Sequence, residues 1–233
     1  MKSSIAMCVV MSALLGSSIA LATITPIYDI QYTTDLSGDS PLLGQTLDVK
    51  GIVTAVNYGG QFWLQDAVGS WNGVYVYDNA NAVALGDEVS FTATVEEYYN
   101  LTELKTLTNF SLLSSGNALP AMTVLPTGSV ADEQYEGVLV RVEDVLASDV
   151  ADTYGEWDVD DGSGSVAVGD AMDTWGFEPA LGEHFDWVQG PLDYALSEFK
   201  IQPRDYGDIV PEPAAALLLM LGMACLVRMR RAR

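Results

Sequence analysis

The chain has 233 residues, and its 32 acidic against 10 basic residues set a formal charge of −22. That balance argues against a polyanionic partner, because nucleic-acid affinity rests largely on Lys and Arg neutralising phosphates. The two cysteines, Cys8 and Cys225, lie in the terminal segments, so neither disulfide nor thiol chemistry is expected in the body.

The opening MKSSIAMCVVMSALLGSSIALA has a basic Lys2, an apolar stretch from Ile5 to Leu15, and small residues Ala20 and Ala22 around Leu21. This is the layout of a secretory signal peptide over residues 1–22, with cleavage by signal peptidase expected after Ala22. The body that follows alternates. Leu47, Val49, Gly51, Val53 and Ala55 share one face of a first strand, with Asp48, Lys50 and Thr54 on the other. Val89, Phe91, Ala93 and Val95 repeat the pattern further on. Such period-two runs predict half-buried strands. NYGGQ, from Asn57, supplies glycines for a hairpin turn, and FWLQD, GVYVYD and LTELKTLTNFSLL complete about five strands. Five strands in fewer than a hundred residues, with no strong helical stripe, predict a small barrel whose closure removes exposed edges.

Landmarks of this unit recur. YNLTELKTL from Tyr99 matches YALSEFKIQ from Tyr194, LGDEV from Leu85 matches LGEHF from Leu181, and Trp63 with Asp66 matches Trp157 with Asp160. The same order at nearly constant spacing predicts two copies of one domain, at 25–117 and 133–209, joined by a linker at 118–132 that carries Pro120 and Pro126. In both copies of the tyrosine motif the apolar residues (Leu101 and Leu104; Leu196 and Phe199) are expected in the core. Glu103, Lys105, Glu198 and Lys200 are expected to point outward.

VKGIVTAV, GGQFWLQD, GVYVYD and LGDEVSFTATVEEYYNLTEL together resemble the OB-fold module that accompanies secreted bacterial endonucleases. GVLVRVEDV, GEWDVDDGSG and FKIQPRDYGDI are similar to a variant of that module. The resemblance implies an all-β protein of two small OB-like β-barrels in tandem, flanked by the signal peptide and a C-terminal apolar helix. The nuclease domain that often follows such modules is lacking, so nuclease activity does not carry over.

The chain closes with VPEPAAALLLMLGMACLVRMRRAR. Pro211, Glu212 and Pro213, an apolar run over 214–227 and four terminal arginines resemble the PEP-CTERM sorting signal, here residues 210–233. That resemblance implies export to the cell envelope or beyond, transient insertion of 214–227 in the cytoplasmic membrane, and processing by an exosortase-type enzyme. Fourteen residues make a helix of roughly 21 Å, short of the ~30 Å hydrocarbon core, which fits a temporary anchor better than a permanent one. Without these termini the body holds five basic residues against thirty-one carboxylates, a charge near −26.

OB barrels bind single-stranded nucleic acid or oligosaccharide on one sheet face. Phe62, Trp63, Tyr75, Tyr77, Trp157 and Trp175 are the aromatic candidates for such a face, each alternatively a core residue. Asp158, Asp160 and Asp161 precede Gly162 and Gly164, so they form either a calcium-binding turn or a solvated hairpin turn. His184 is the single histidine, no Gly-x-Ser-x-Gly elbow occurs, and no catalytic residue is assigned. The expectation is an exported, non-enzymatic envelope or extracellular-matrix binding protein, with a surface polysaccharide or matrix component as ligand. The alternative is a nucleic-acid-binding accessory of extracellular nuclease systems, with calcium screening the charge.

Overall fold

The computed structural model describes residues 23–172 and 176–212. The signal peptide with Ala22, Trp175, Pro213 and the apolar run 214–227 lie outside the described residues. Among the described residues no helix is long and apolar enough to cross a membrane.

The first barrel comprises β1 (Thr46–Val56), β2 (Phe62–Gln65), β3 (Gly73–Val76), β4 (Glu88–Tyr98) and β5 (Leu101–Ser114), closed in the order β1-β2-β3-β5-β4. Pairing is antiparallel except between β3 and β5. Closure depends on β1 serving two neighbours: Thr46–Ile52 pairs with β4, and Ile52–Val56 pairs with β2. Gly51 stands at that crossover, where a Cβ would lie 2.8 Å from the Gln65 carbonyl oxygen. The alternating apolar residues turn inward as expected, so Val49, Val53, Val89, Phe91, Ala93 and Val95 meet Phe62, Leu64, Val74, Val76 and Leu104. One short helix, α1 (Ile27–Gln31), packs Ile27 and Ile30 into this core. It is held by Asp66, whose carboxylate accepts the Ile27 N–H at 2.9 Å.

The second barrel repeats the ring with β7 (Leu139–Ala147), β8 (Trp157–Asp160), β9 (Val166–Val168), β10 (His184–Ala195) and β11 (Glu198–Ile201). Its order is β7-β8-β9-β11-β10, with β10 returning to β7. Again only the third and fifth strands of the ring, β9 and β11, run parallel. Two further strands flank the ring. β6 (Thr123–Val124) joins β7 in parallel, so part of segment 118–132 is built into this barrel. β12 (Ile209–Pro211) joins β10. In the first barrel one fourteen-residue strand does this work, whereas here β11 and β12 share it around the excursion 202–208. That excursion is tied by Arg204, which donates to both oxygens of the buried Asp208 at 2.6 and 2.8 Å.

The repeat is seen most closely at the turns before β4 and β10. Gly86 and Gly182 both have positive φ, near 80°. Their N–H groups donate to Val53 and Ala147, at 2.9 and 2.8 Å, and Asp87 and Glu183 each cap a residue three positions earlier. The other two landmarks shift. Trp157 packs in the second core with Phe185 as Phe62 packs in the first with Phe91, so Trp157 corresponds to Phe62 and not to Trp63. Likewise Asp161, not Asp160, is the counterpart of Asp66: it accepts the Thr127 N–H and hydroxyl at 3.2 and 2.7 Å ahead of the second barrel.

The tyrosine motifs do not superpose. The β4–β5 turn is Tyr99-Asn100 and the β10–β11 turn is Leu196-Ser197, each with two successive positive φ angles that match the strand twist. Cross-strand register therefore aligns Leu104 with Ile201 and Glu103 with Lys200. Leu104 and Phe199 do pack against the cores. Leu196, expected in the core, is instead an exposed turn residue, because the turn falls two residues later than the motif implies. Glu103 and Lys200, expected in solvent, lie on the outer faces but are only 2 % and 1 % exposed.

The barrels dock side by side. Trp71 donates its N–H to Gln134 O at 2.7 Å, Leu139 N–H to the Gln65 side chain at 2.8 Å, and Thr102 N–H to Glu136 Oε1 at 3.0 Å. Gly73 and Gly137 touch through bare backbone, since a Cβ on Gly73 would lie 2.2 Å from the Gly137 carbonyl. Trp63, Ala55 and Met172 form a small apolar cluster bridging the two units.

Candidate functional site

The outward row crossing β2, β3 and β5 begins with Trp63, Tyr75 and Glu103, which the register places side by side. Trp63 is 1 % exposed, with Tyr75 edge-on to it at 5.0 Å between ring centroids. The second barrel covers this end of the row. Beyond Tyr75 the surface opens into a cleft of about 610 Å³ between the barrels. Five tyrosines line it: Tyr75, Tyr77, Tyr98 and Tyr99 from the first barrel and Tyr194 from the second. The β4–β5 and β10–β11 turns form its lips, so the two hairpin tips that resemble each other in sequence meet across it.

Two acidic groups stand among these rings. Asp193, on β10, is 8 % exposed, and its Oδ1 has no hydrogen-bond partner. Its other oxygen faces the Gln202 amide at 3.4 Å. Burial pushes the Asp193 carboxyl up to about 6, partly offset by Gln202, by the Tyr194 backbone N–H and by the positive charge of Lys200, its cross-strand neighbour on β11. Glu103 faces the Lys105 ammonium at 3.3 Å. Burial raises its pKa as well, opposed by that lysine. Tyr75 is raised, first by burial and then by the negative charge of Asp193 and Glu103. Lys105 lies 5.0 Å from the centroid of the Tyr77 ring and 5.9 Å from that of Tyr98. The cleft is thus an aromatic basin with acceptor groups at its base, suited to a ligand that brings hydrogen-bond donors or positive charge.

A larger, shallower depression of about 990 Å³ runs along α1 past Tyr28, Tyr32 and Asp35. It draws on one barrel only, whereas the cleft unites side chains from both. Near the docking surface lies a knot of carboxylates. Glu136 is buried, with its pKa raised chiefly by burial and then by Glu133, and Glu133 is itself pushed up to about 7 by burial and by Glu97.

The aromatic candidates therefore divide. Phe62 and Trp157 fill the cores, Trp63 seals the docking surface, and Tyr75 and Tyr77 reach the cleft. Tyr98, Tyr99 and Tyr194 are not among the aromatic candidates of the sequence, because alternation alone does not show which outward rings a second barrel gathers. The doubled motif around Tyr99 and Tyr194 was the available signal. The acidic turn does not come together as a ligand set, and among the described residues no group of three metal-ligating side chains could hold an ion. Asp160 accepts Gly162 N–H at 2.6 Å and Gly164 N–H at 3.2 Å, which is turn capping. Asp161 is engaged by Thr127 and Ser163, whose hydrogen bonds hold its carboxyl down near 2. Asp158 lies on the outward row beside Ala167 and Lys200. His184 opens β10 between Asp144 and Glu212. Of the sorting motif, Pro211 ends β12 and Glu212 donates its N–H to His184 O at 3.0 Å.

Strand order, register and closure define this chain as a pair of OB-type barrels docked in tandem. Neither a protein-family model nor a curated protein matches the sequence. Among solved structures it is similar to the crystal structure of the p204 HINb domain. The TM-score is 0.34 and the identity 10 %, over 66 % of this chain and 90 % of that one.

Proposed function

We propose that this is a non-enzymatic binding protein of the cell envelope or extracellular matrix, exported and sorted by an exosortase-type system, whose inter-barrel cleft holds a carbohydrate. The tyrosine-lined cleft carries this reading. Flat phenol rings suit the apolar faces of sugar rings, and buried carboxylates suit their hydroxyl donors. Size agrees, since about 610 Å³ lies within the range of small-ligand sites. The terminal segments motivate export and sorting. The ammonium groups beside the cleft are already paired, Lys105 with Glu96 and Glu103 and the buried Lys200 with Glu156, which leaves little to neutralise phosphates.

The test is a panel of neutral, acidic and basic oligosaccharides against the purified protein, with single-stranded DNA at low salt and millimolar calcium as the competing arm. Saccharide binding that Tyr77→Ala and Tyr99→Ala weaken at least tenfold supports the reading. DNA binding with no saccharide binding transfers the protein to the nuclease-accessory class.

A further inference from the structure

Resting on that reading, we infer that the ligand is a glycan carrying free amino groups, with an ammonium seated between the tyrosine rings and the carboxylates of Asp193 and Glu103. Three observations converge on positive charge. First, Asp193 Oδ1 is buried without a partner on the wall of the cleft, and such an atom awaits a donor from outside the chain. An ammonium supplies three donors and a full countercharge, where a hydroxyl supplies one donor and none. Second, the rings already accept an ammonium: Lys105 Nζ sits over Tyr77 and Tyr98 while facing Glu103. The chain's own lysine thus shows the geometry a ligand amine would adopt beside it, ring faces on one side and a carboxylate on the other. Third, the two ammonium groups beside the cleft, Lys105 and Lys200, are each already paired with carboxylates, and the body carries five basic residues against thirty-one carboxylates. The long-range field therefore draws polycations and repels polyanions.

Lys105 gives the inference its sharpest consequence. As an internal ammonium it competes with the ligand for Glu103 and for two rings. Replacing it by glutamine removes the competitor and one repelling charge, so an amine ligand should bind more tightly. A neutral sugar gains nothing from that change.

The experiment is calorimetric titration of the full chain at pH 6.5, where an amine of this class is protonated. The probes are a glucosamine tetramer and its fully N-acetylated counterpart. The expected result is at least tenfold tighter binding of the free amine, a preference lost in Asp193→Asn and in 0.5 M salt. Lys105→Gln should strengthen amine binding about threefold or more, and lying outside the cores it serves if Asp193→Asn does not fold. Equal affinity for the two tetramers would overturn the amine inference while leaving the carbohydrate reading intact. Binding of neither tetramer would overturn it too, and the saccharide panel then decides the broader reading separately. Weaker amine binding in Lys105→Gln would also sink it.

Discussion

In the first barrel the outward row across β2, β3 and β5 reads Trp63, Tyr75, Glu103; in the second, the equivalent row reads Asp158, Ala167, Lys200. Ring order and turn chemistry are shared, yet these rows have opposite fates. The first is aromatic and is spent on docking and on the cleft. The second is ionic and self-sufficient: Lys200 is buried, but its ammonium meets both oxygens of Glu156 at 2.5 Å. A duplicated barrel thus keeps its interior under one set of packing demands while its exterior diverges freely, and here the divergence lets one copy complete a site on the other.

The largest effects should fall where the barrels are alike. Phe62→Ala and Trp157→Ala each empty the matching core position and should cost about 3–5 kcal/mol in denaturant unfolding. A much smaller loss at either site would break the equivalence of the two residues. Next comes the contrast between the rows. Glu156→Ala leaves the buried Lys200 ammonium only the longer 3.9 Å contact to Glu198 and the charge of Asp193 across the strand pair, and should cost about 3 kcal/mol. Glu103→Gln removes a carboxylate that burial already penalises and should change stability by less than about 1 kcal/mol.

Docking can be disturbed without touching either core. Gly73→Ala drives a methyl group into the Gly137 backbone, and overpacking of this kind should cost roughly 1–3 kcal/mol. Hydrogen exchange distinguishes this from general destabilisation, because the Thr102 and Leu139 amides should lose protection before the core amides do.

A distributed effect is the pH dependence of the shared surface. Asp193 and Glu133 have their pKa values raised to about 6 and 7, above the ordinary 3.8 and 4.5, so the folded state holds these protons more tightly than the unfolded one. Their contribution is complete below about pH 4 and is lost as pH rises through 6 and 7. Thermal melts should therefore move upward by roughly 5 °C from pH 8 to pH 5. Below about pH 4 the trend should reverse, as Asp161, held near 2, begins to lose its hydrogen-bonded carboxylate.

Much of the fold was legible because period-two alternation states directly which side chains face a core. Val89, Phe91, Ala93 and Val95 lie where their spacing put them. The match between LGDEV and LGEHF was legible too, and it falls on two equivalent turns where Gly86 and Gly182 take the positive φ that glycine tolerates. Outward burial was not. Trp63, Glu103 and Lys200 sit at solvent-facing positions of their strands, and only a second body or a paired charge removes them from water. Nor could alternation locate the hairpin tips. A two-residue slip preserves every inside-outside assignment, so the match between YNLTELK and YALSEFK looked like register when it was not. The cleft straddles both kinds of illegibility, being built from hairpin tips at a docking surface.

Trp63 and the glycine contact at Gly73 and Gly137 bear on how this molecule behaves when cut. The exposed bend at Ser115 and Gly116, just past the end of β5, is an accessible point for a protease, and it precedes the second barrel in the chain. Because none of the residues that clamp the halves together belongs to that peptide, the two fragments should still migrate together on a sizing column. Scission there would sever the chain but not the partnership.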